Sequence, residues 1–186
     1  MEIDQFIRES GLNLPRVGQL GIISPDIHGA LPSVAAAFNL RTWYEPQYAE
    51  KRFFIEGEAV DLDFNLVFAY SGGLQIEIIE EKSQKAAIFK DNIDQQGQGI
   101  HHLGFFIADM GAKLKIAEQL GLKNLFEGQF TTAGGGSVHF AYLDTRQQCG
   151  TILEIINIKL YGINIPQTEL MINVGRLTKD VVRFQV

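Results

Sequence analysis

Two pairs of polar side chains, each able to hold a cation or move a proton, recur at matched places in this 186-residue chain. Gln19 stands in Val17-Gly18-Gln19-Leu20-Gly21-Ile22-Ile23-Ser24-Pro25-Asp26. His102 stands in Gly99-Ile100-His101-His102-Leu103-Gly104-Phe105-Phe106-Ile107-Ala108-Asp109. An offset of 83 residues superposes Gln19 on His102, Leu20 on Leu103, Gly21 on Gly104 and Asp26 on Asp109. A second echo follows each copy: Gly73-Leu74-Gln75-Ile76-Glu77-Ile78-Ile79 returns as Gly150-Thr151-Ile152-Leu153-Glu154-Ile155-Ile156, with Glu77 on Glu154. Side chains alternate faces along a strand. Glu77 therefore shares a face with Gln75 and Ile79, while Leu74, Ile76 and Ile78 point the other way; Glu154 opposes Leu153 and Ile155 in the same manner. The apolar faces pack on helices, which leaves one carboxylate per half on the concave side of each sheet. Such carboxylates are costly to bury unless paired or bound to metal. With Gln19 and His102 they supply three oxygen donors and one imidazole. That set suits a six-coordinate divalent ion (zinc, nickel, cobalt, manganese or iron), with waters completing the shell, and not the sulfur-rich tetrahedron of a structural zinc site. The metal-free alternative is a binding fold with a hydrogen-bonded Gln-His-Glu-Glu cluster.

The elements that must position these residues repeat with them. An arm over residues 1–14, with Ile3, Phe6 and Ile7 at helical spacing, precedes a first module over 15–80. Its strand runs from about Val17 to Ser24, and Asp26 can cap a helix whose buried stripe is Leu31, Val34, Ala35 and Phe38. After a loop around Trp43 and Pro46, β-like runs follow at Tyr48–Glu56, Leu62–Tyr70 and Leu74–Glu80. A polar linker over 81–98, where Lys85–Phe89 could add a helical turn, leads to the second module over 99–160. There a strand over Ile100–Ile107 precedes a helix from about Met110 to Leu120, then strands near Leu125–Thr131, Ser137–Asp144 and Thr151–Ile158. The fold class is α+β, a tandem of βαβββ modules around a cleft. The extension over 161–186 carries Met171, Val174, Leu177 and Val181 at the spacing of a final amphipathic helix.

Composition narrows the partners. Sixteen basic residues against 22 acidic ones give a formal charge of −6, with no basic run, so nucleic acid is not an expected partner. No apolar run approaches the ~20 residues of a membrane span, and the N-terminal residues show no secretory pattern. A single cysteine, Cys149, fits a reducing compartment, and a cytoplasmic location is the expectation. Cys149 has no neighbouring base to activate it. His101, adjacent to His102, is expected to face away and pack structurally; His139 reads as a structural strand residue and His28 as exposed. Thr131-Thr132-Ala133-Gly134-Gly135-Gly136-Ser137 leads into a strand and lacks a lysine, so it reads as a hairpin tip, not a phosphate loop.

Paired βαβββ repeats, the Gly-Ile-His-His-Leu-Gly-Phe opening at Gly99, and the closing Ile-Glu-Ile-Ile and Leu-Glu-Ile-Ile resemble the vicinal oxygen chelate superfamily across about residues 15–158. This is the glyoxalase, bleomycin resistance protein and dioxygenase superfamily, which also holds methylmalonyl-CoA epimerase. The segment from Phe140-Ala141-Tyr142-Leu143-Asp144 through Gly150 to Glu154 looks most like its epimerase and glyoxalase-like branch. The resemblance implies a glyoxalase-like cleft and a divalent metal ion held by Gln19, Glu77, His102 and Glu154, a set similar to that of animal glyoxalase I. It also implies a metal-dependent lyase or isomerase/epimerase acting on a small-molecule carbonyl substrate through a metal-stabilised enolate, with Glu154 or Glu77 as catalytic base. Glutathione is not expected, because the positions that would hold it fall on Ile23, Glu81 and Gln98. The alternatives are a binding or sequestration protein of the bleomycin-resistance type, walled by Phe53, Phe54, Phe68, Phe105, Phe106 and Phe140, and then an extradiol-type dioxygenase. Against the latter, Gln19 occupies a position that its chemistry fills with histidine. The superfamily habit of two-fold pairing implies a homodimer, with the two terminal segments burying part of the interface.

Overall fold

The computed structural model describes residues 11–185; Ile3, Phe6 and Ile7 lie outside the described residues. Strand β1 (Gln19–Ile23) leads into helix α1 (Ile27–Phe38), and β2 (Trp43–Pro46), β5 (Phe64–Ser71) and β6 (Leu74–Glu81) complete the first module. Between β2 and β5 lies a hairpin, β3 (Glu50–Ile55) with β4 (Glu58–Val60). Helix α2 (Ala87–Gln96) occupies the connecting segment. The second module is β7 (Gly99–Phe106), α3 (Met110–Gln119), β8 (Asn124–Thr131), β9 (Gly136–Leu143), the single turn α4 (Arg146–Cys149) and β10 (Ile152–Leu160). Then come β11 (Ile163–Asn164), α5 (Glu169–Leu177) and β12 (Val181–Phe184).

All strands join one sheet in the order β12-β2-β5-β6-β1-β7-β10-β9-β8-β3-β4, with β11 beside β10. Each module contributes four consecutive strands, and the modules meet where β1 runs antiparallel to β7, Leu20 opposite Leu103. Ile76 and Ile78 of β6 pack outward with Ile22 and Val67 against Ala30, Leu31 and Val34 of α1. On the other module Leu143 and Ile155 meet Met110 and Ala117 of α3. Burying each of the larger side chains contributes ~1.5–3 kcal/mol. The expected alternation therefore holds, and the face bearing Gln75, Glu77 and Glu154 is left for the concave side.

The first module departs from the sequence reading in one respect. Its outer strand is Trp43–Pro46, read as loop, while most of the run expected at Tyr48–Glu56 crosses to the other module, where Phe53 pairs with Gly128 of β8. Pro46 explains the misreading. It is the last residue of a four-residue strand that pairs with β5 at Tyr44 alone, and a proline in so short a run reads as a turn. Only residues 47–49 separate β2 from β3, so opposite ends of the sheet lie within roughly 14 Å along the chain and the sheet must curl. Asp26 is a second departure: it takes the N-cap position of α1 without a side-chain capping hydrogen bond, whereas Asp109 caps α3 by accepting from the Ala112 N–H at 2.9 Å. A third is the final helix, which stops at Leu177; Val181 belongs to β12, paired with Pro46 of β2.

Candidate metal centre

The four central strands bring the repeat-related residues into two rows. In one, Glu77 on β6 and His102 on β7 flank Gly21 of β1. In the other, Gln19 on β1 and Glu154 on β10 flank Gly104 of β7. With strands ~4.8 Å apart, each glycine leaves a gap over which the flanking side chains lean toward a common point. The space is already taken. A Cβ on Gly21 would lie 1.8 Å from His102 Cε1, and one on Gly104 would lie 2.4 Å from Gln19 Oε1.

The donor atoms converge. Ligating atoms of Glu77, His102 and Glu154 all lie within 4.8 Å of one another, and all three residues are buried. His102 Nε2 is 3.0 Å from Glu154 Oε2 and 3.6 Å from Glu77 Oε2. The shorter approach lacks hydrogen-bond alignment, so His102 Nε2, Glu154 Oε2 and Gln19 Oε1 are buried atoms without a hydrogen-bond partner. Buried polar atoms are rarely left this way. Three orphans from three different strands, directed at one place, fit a divalent cation with oxygen and imidazole ligands.

Supporting contacts fix which atom each side chain presents. Gln19 Nε2 donates to Gln75 Oε1 at 2.7 Å, and Gln75 Nε2 donates to the Tyr70 hydroxyl at 3.0 Å, which turns Gln19 Oε1 toward the centre. The imidazole is fixed by His101, whose Nε2 lies 3.1 Å from the Ile88 carbonyl oxygen and whose Nδ1 lies 3.1 Å from His102 Nδ1. The carbonyl can only accept, so His101 carries its proton on Nε2 and accepts at Nδ1. His102 then donates from Nδ1 and directs Nε2 at the centre, where a cation would take the place of its proton. His101 was expected to face away. A bulge opposite Gly21 and Ile22 breaks the alternation and turns both imidazoles into one buried network. The Phe89 ring of α2 packs on His101 at 5.3 Å.

Charge follows from burial. Burial opposes a proton on His102, but the Glu154 and Glu77 carboxylates outweigh it and hold the imidazole well above its ordinary 6.5. Burial raises Glu154, His102 pulls it back and Glu77 adds to the rise. Without a cation the cluster retains protons that a metal must displace. His101 is pushed down to about 3 by burial and by the neighbouring His102 charge, so it stays neutral, as an acceptor Nδ1 requires. Replacing His101 with Phe, which keeps a ring against Phe89 but removes the acceptor, is expected to weaken divalent-metal affinity ~10- to 100-fold. His101→Gln, with a carbonyl available at that place, should recover part of it. Chelator-competition titrations measure both, and a Phe variant with parental affinity would remove His101 from the site.

Above the centre lies a cavity of about 150 Å³. Gln19, Glu77 and Glu154 lie in its wall, with Phe68, Phe106, Phe130 and Phe140. Of the other aromatic walls considered from sequence, Phe53 is buried in the adjoining core and Phe105 is buried without lining the cavity. The Tyr48 and Tyr142 phenols line the cavity too. Burial first, then the Glu77 and Glu154 charges, raise both well above 10.0, which keeps them protonated, as hydrogen-bond donors and not bases. The C-terminal segment closes one side, with Met171 and Val174 of α5 in the wall and Ile172 buried.

Other candidates fall outside the centre. His139 contacts Glu127 at 2.7 Å, and His28 is exposed beside Phe184. Cys149 is half-buried against the Thr145 carbonyl. The glycine-rich segment is the β8–β9 tip, where the Gly134 N–H donates to the Asp180 carboxylate at 2.7 Å; an acidic partner there opposes a phosphate. No helix among the described residues is long and apolar enough to cross a membrane.

Comparison with known proteins agrees with this geometry. The family described as Glyoxalase/Bleomycin resistance protein/Dioxygenase superfamily matches residues 18–142. No curated protein sequence matches the chain. Similar solved structures include a hypothetical protein from Bacillus halodurans C-125, 19% identical, covering 83% of this chain and 97% of that one at a TM-score of 0.53. Methylmalonyl-CoA epimerase from Mycobacterium tuberculosis is 12% identical, with 77% and 87% covered and a TM-score of 0.52. A Streptomyces coelicolor methylmalonyl-CoA epimerase variant, in complex with 2-nitronate-propionyl-CoA, is 16% identical, with 82% and 99% covered and a TM-score of 0.53. At these identities the likeness is one of fold.

Proposed function

Because this chain belongs to the Glyoxalase/Bleomycin resistance protein/Dioxygenase superfamily, we propose that it is a metal-dependent lyase or isomerase/epimerase acting on a carbonyl compound. The observation that supports this most is the convergence of three buried atoms that make no aligned hydrogen bond, Gln19 Oε1, His102 Nε2 and Glu154 Oε2, beside the Glu77 carboxylate. Gln19, Glu77, His102 and Glu154 would hold a divalent ion, which supplies a Lewis acid for the negative charge that develops on a substrate oxygen. The protein's own part is proton transfer. Glu154 or Glu77 takes a proton from the carbon beside the carbonyl and returns it to the same or a neighbouring atom. Tyr48 and Tyr142 keep their protons and can donate to oxygen, and the apolar walls keep bulk water from competing.

Elemental analysis after reconstitution tests the reading. About one equivalent of a transition metal is expected, and less than ~0.1 equivalent would transfer the protein to the sequestration class, given the affinity such a donor set confers. A homodimer is also proposed, for a reason that differs from the sequence argument. Met171, Val174 and Val181 line this chain's own cavity, whereas Tyr161, Ile163, Leu170 and Leu177 are more than two-thirds exposed. Light scattering at micromolar concentration should give about twice the chain mass of 20.7 kDa; the single-chain mass would end the proposal.

A further inference from the structure

We propose that the cavity selects a compact carbonyl ligand with an uncharged, ring-sized apolar tail, and refuses coenzyme A thioesters and glutathione adducts. This rests on the carbonyl-directed reading above and deepens it. Walking along β10 from the centre, the positions sharing the Glu154 face are Ile156, Ile158 and Leu160. Their partners on β9 are Phe140, Val138 and Gly136. Six residues at ~3.3 Å each make a trough of roughly 20 Å, apolar along its β10 and β9 floor beyond Glu154. On the other half Glu77 is paired with Phe68, and Ile79 beyond it with Leu66.

Charge excludes the larger candidates. Coenzyme A brings phosphates and glutathione brings two carboxylates, which proteins hold with Arg and Lys. Among the described residues, the basic member of this cavity's lining is Lys159, whose position on β10 alternates away from Glu154, Ile156 and Ile158. Toward the C-terminal segment the wall contains Asp180, whose carboxylate already accepts from Gly134 and from the Thr178 hydroxyl. An anionic tail would meet a buried carboxylate there. Shape agrees with charge, because Met171, Ile172 and Val174 of α5 line the cavity and Ile172 is only 3% exposed.

The experiment compares phenacyl alcohol with hydroxyacetone, neutral hydroxyketones that share their vicinal oxygens and differ in the ring, and with propionyl-CoA. Binding is measured by calorimetry on metal-free and metal-loaded protein. Phenacyl alcohol should bind roughly 10- to 100-fold more tightly than hydroxyacetone in both states, since the ring's burial needs no metal. Propionyl-CoA should bind no better than hydroxyacetone. Ile158→Trp, which fills the trough midway, should reduce the ratio of phenacyl alcohol to hydroxyacetone affinity to about one while metal stoichiometry holds. Equal affinity for the two hydroxyketones, or propionyl-CoA bound as tightly as phenacyl alcohol, overturns the proposal. A ring preference in protein that takes up no metal would sustain it and defeat the metal-dependent reading instead.

Discussion

A Gly21→Ala protein is expected to bind divalent metal at least ~100-fold more weakly than the parent and to lose ~1–3 kcal/mol of stability or more. The added methyl would sit 1.8 Å from His102 Cε1 and 2.0 Å from Nε2. The ring has little room to retreat: His102 is 0% exposed, with the Tyr142 ring 4.7 Å away and His101 at its Nδ1. Gly104→Ala is the control, because its methyl meets first the amide end of Gln19, which can rotate. It also meets Gln19 Cβ at 2.8 Å and Ile156 Cδ1 at 3.0 Å, so it should cost some stability and displace one neutral oxygen ligand, a smaller loss of metal affinity than displacement of the imidazole. Metal titrations and urea midpoints on both variants separate the effects. Equal losses of affinity would mean that Gly21 does not serve to admit the imidazole.

Glu154→Gln should slow deuterium exchange from solvent into the carbon beside the carbonyl of phenacyl alcohol by ~10²- to 10⁴-fold. The amide retains an oxygen for the cation but has no proton affinity to offer a C–H. Glu77→Gln should do the same if the base is the other carboxylate, and the pair identifies which it is. Metal content is read in parallel, since loss of exchange with loss of metal would report a damaged centre. Tyr48 and Tyr142 cannot take over as bases, because burial and the neighbouring carboxylates keep both phenols protonated. Parental exchange in both Gln variants would make the base assignment wrong.

The repeat made much of the centre legible before any coordinates. Two offsets placed Gln19 with His102 and Glu77 with Glu154, and strand alternation put the carboxylates on the concave face. The same offsets superposed Gly21 on Gly104, yet their role emerges only from register, because which residue lies across from a glycine depends on strand pairing. His101 was misjudged because alternation fails at a bulge, and one sequence carries no periodic mark of a single extra residue. The role of Gln75, expected on the Glu77 face, needed the hydrogen bond to Gln19 to become visible. Crossing of β3 to the other module was hidden because its residues alternate as any strand does, and its partner is a matter of topology. The final helix, expected to pack on the body or on a partner chain, ends at Leu177, before Val181; Met171 and Val174 line the chain's own cavity.

The strand that crosses between modules also governs how the chain must fold. Residues of β3 and their partners on β8 lie between 71 (Ile55 to Phe126) and 81 (Glu50 to Thr131) positions apart. Their pairing closes a loop that contains the rest of the first module and the start of the second. Loop closure of that length has to precede any reward from the contacts. The first module can therefore not mature on its own as it leaves the ribosome; its hairpin waits, unpaired along one edge, until β8 has been made. Such an edge invites the β8 of another molecule as readily as its own. Reciprocal exchange of β3 between two chains would then trap them as an entangled pair, and dilution during synthesis or refolding is the condition that favours the correct partner.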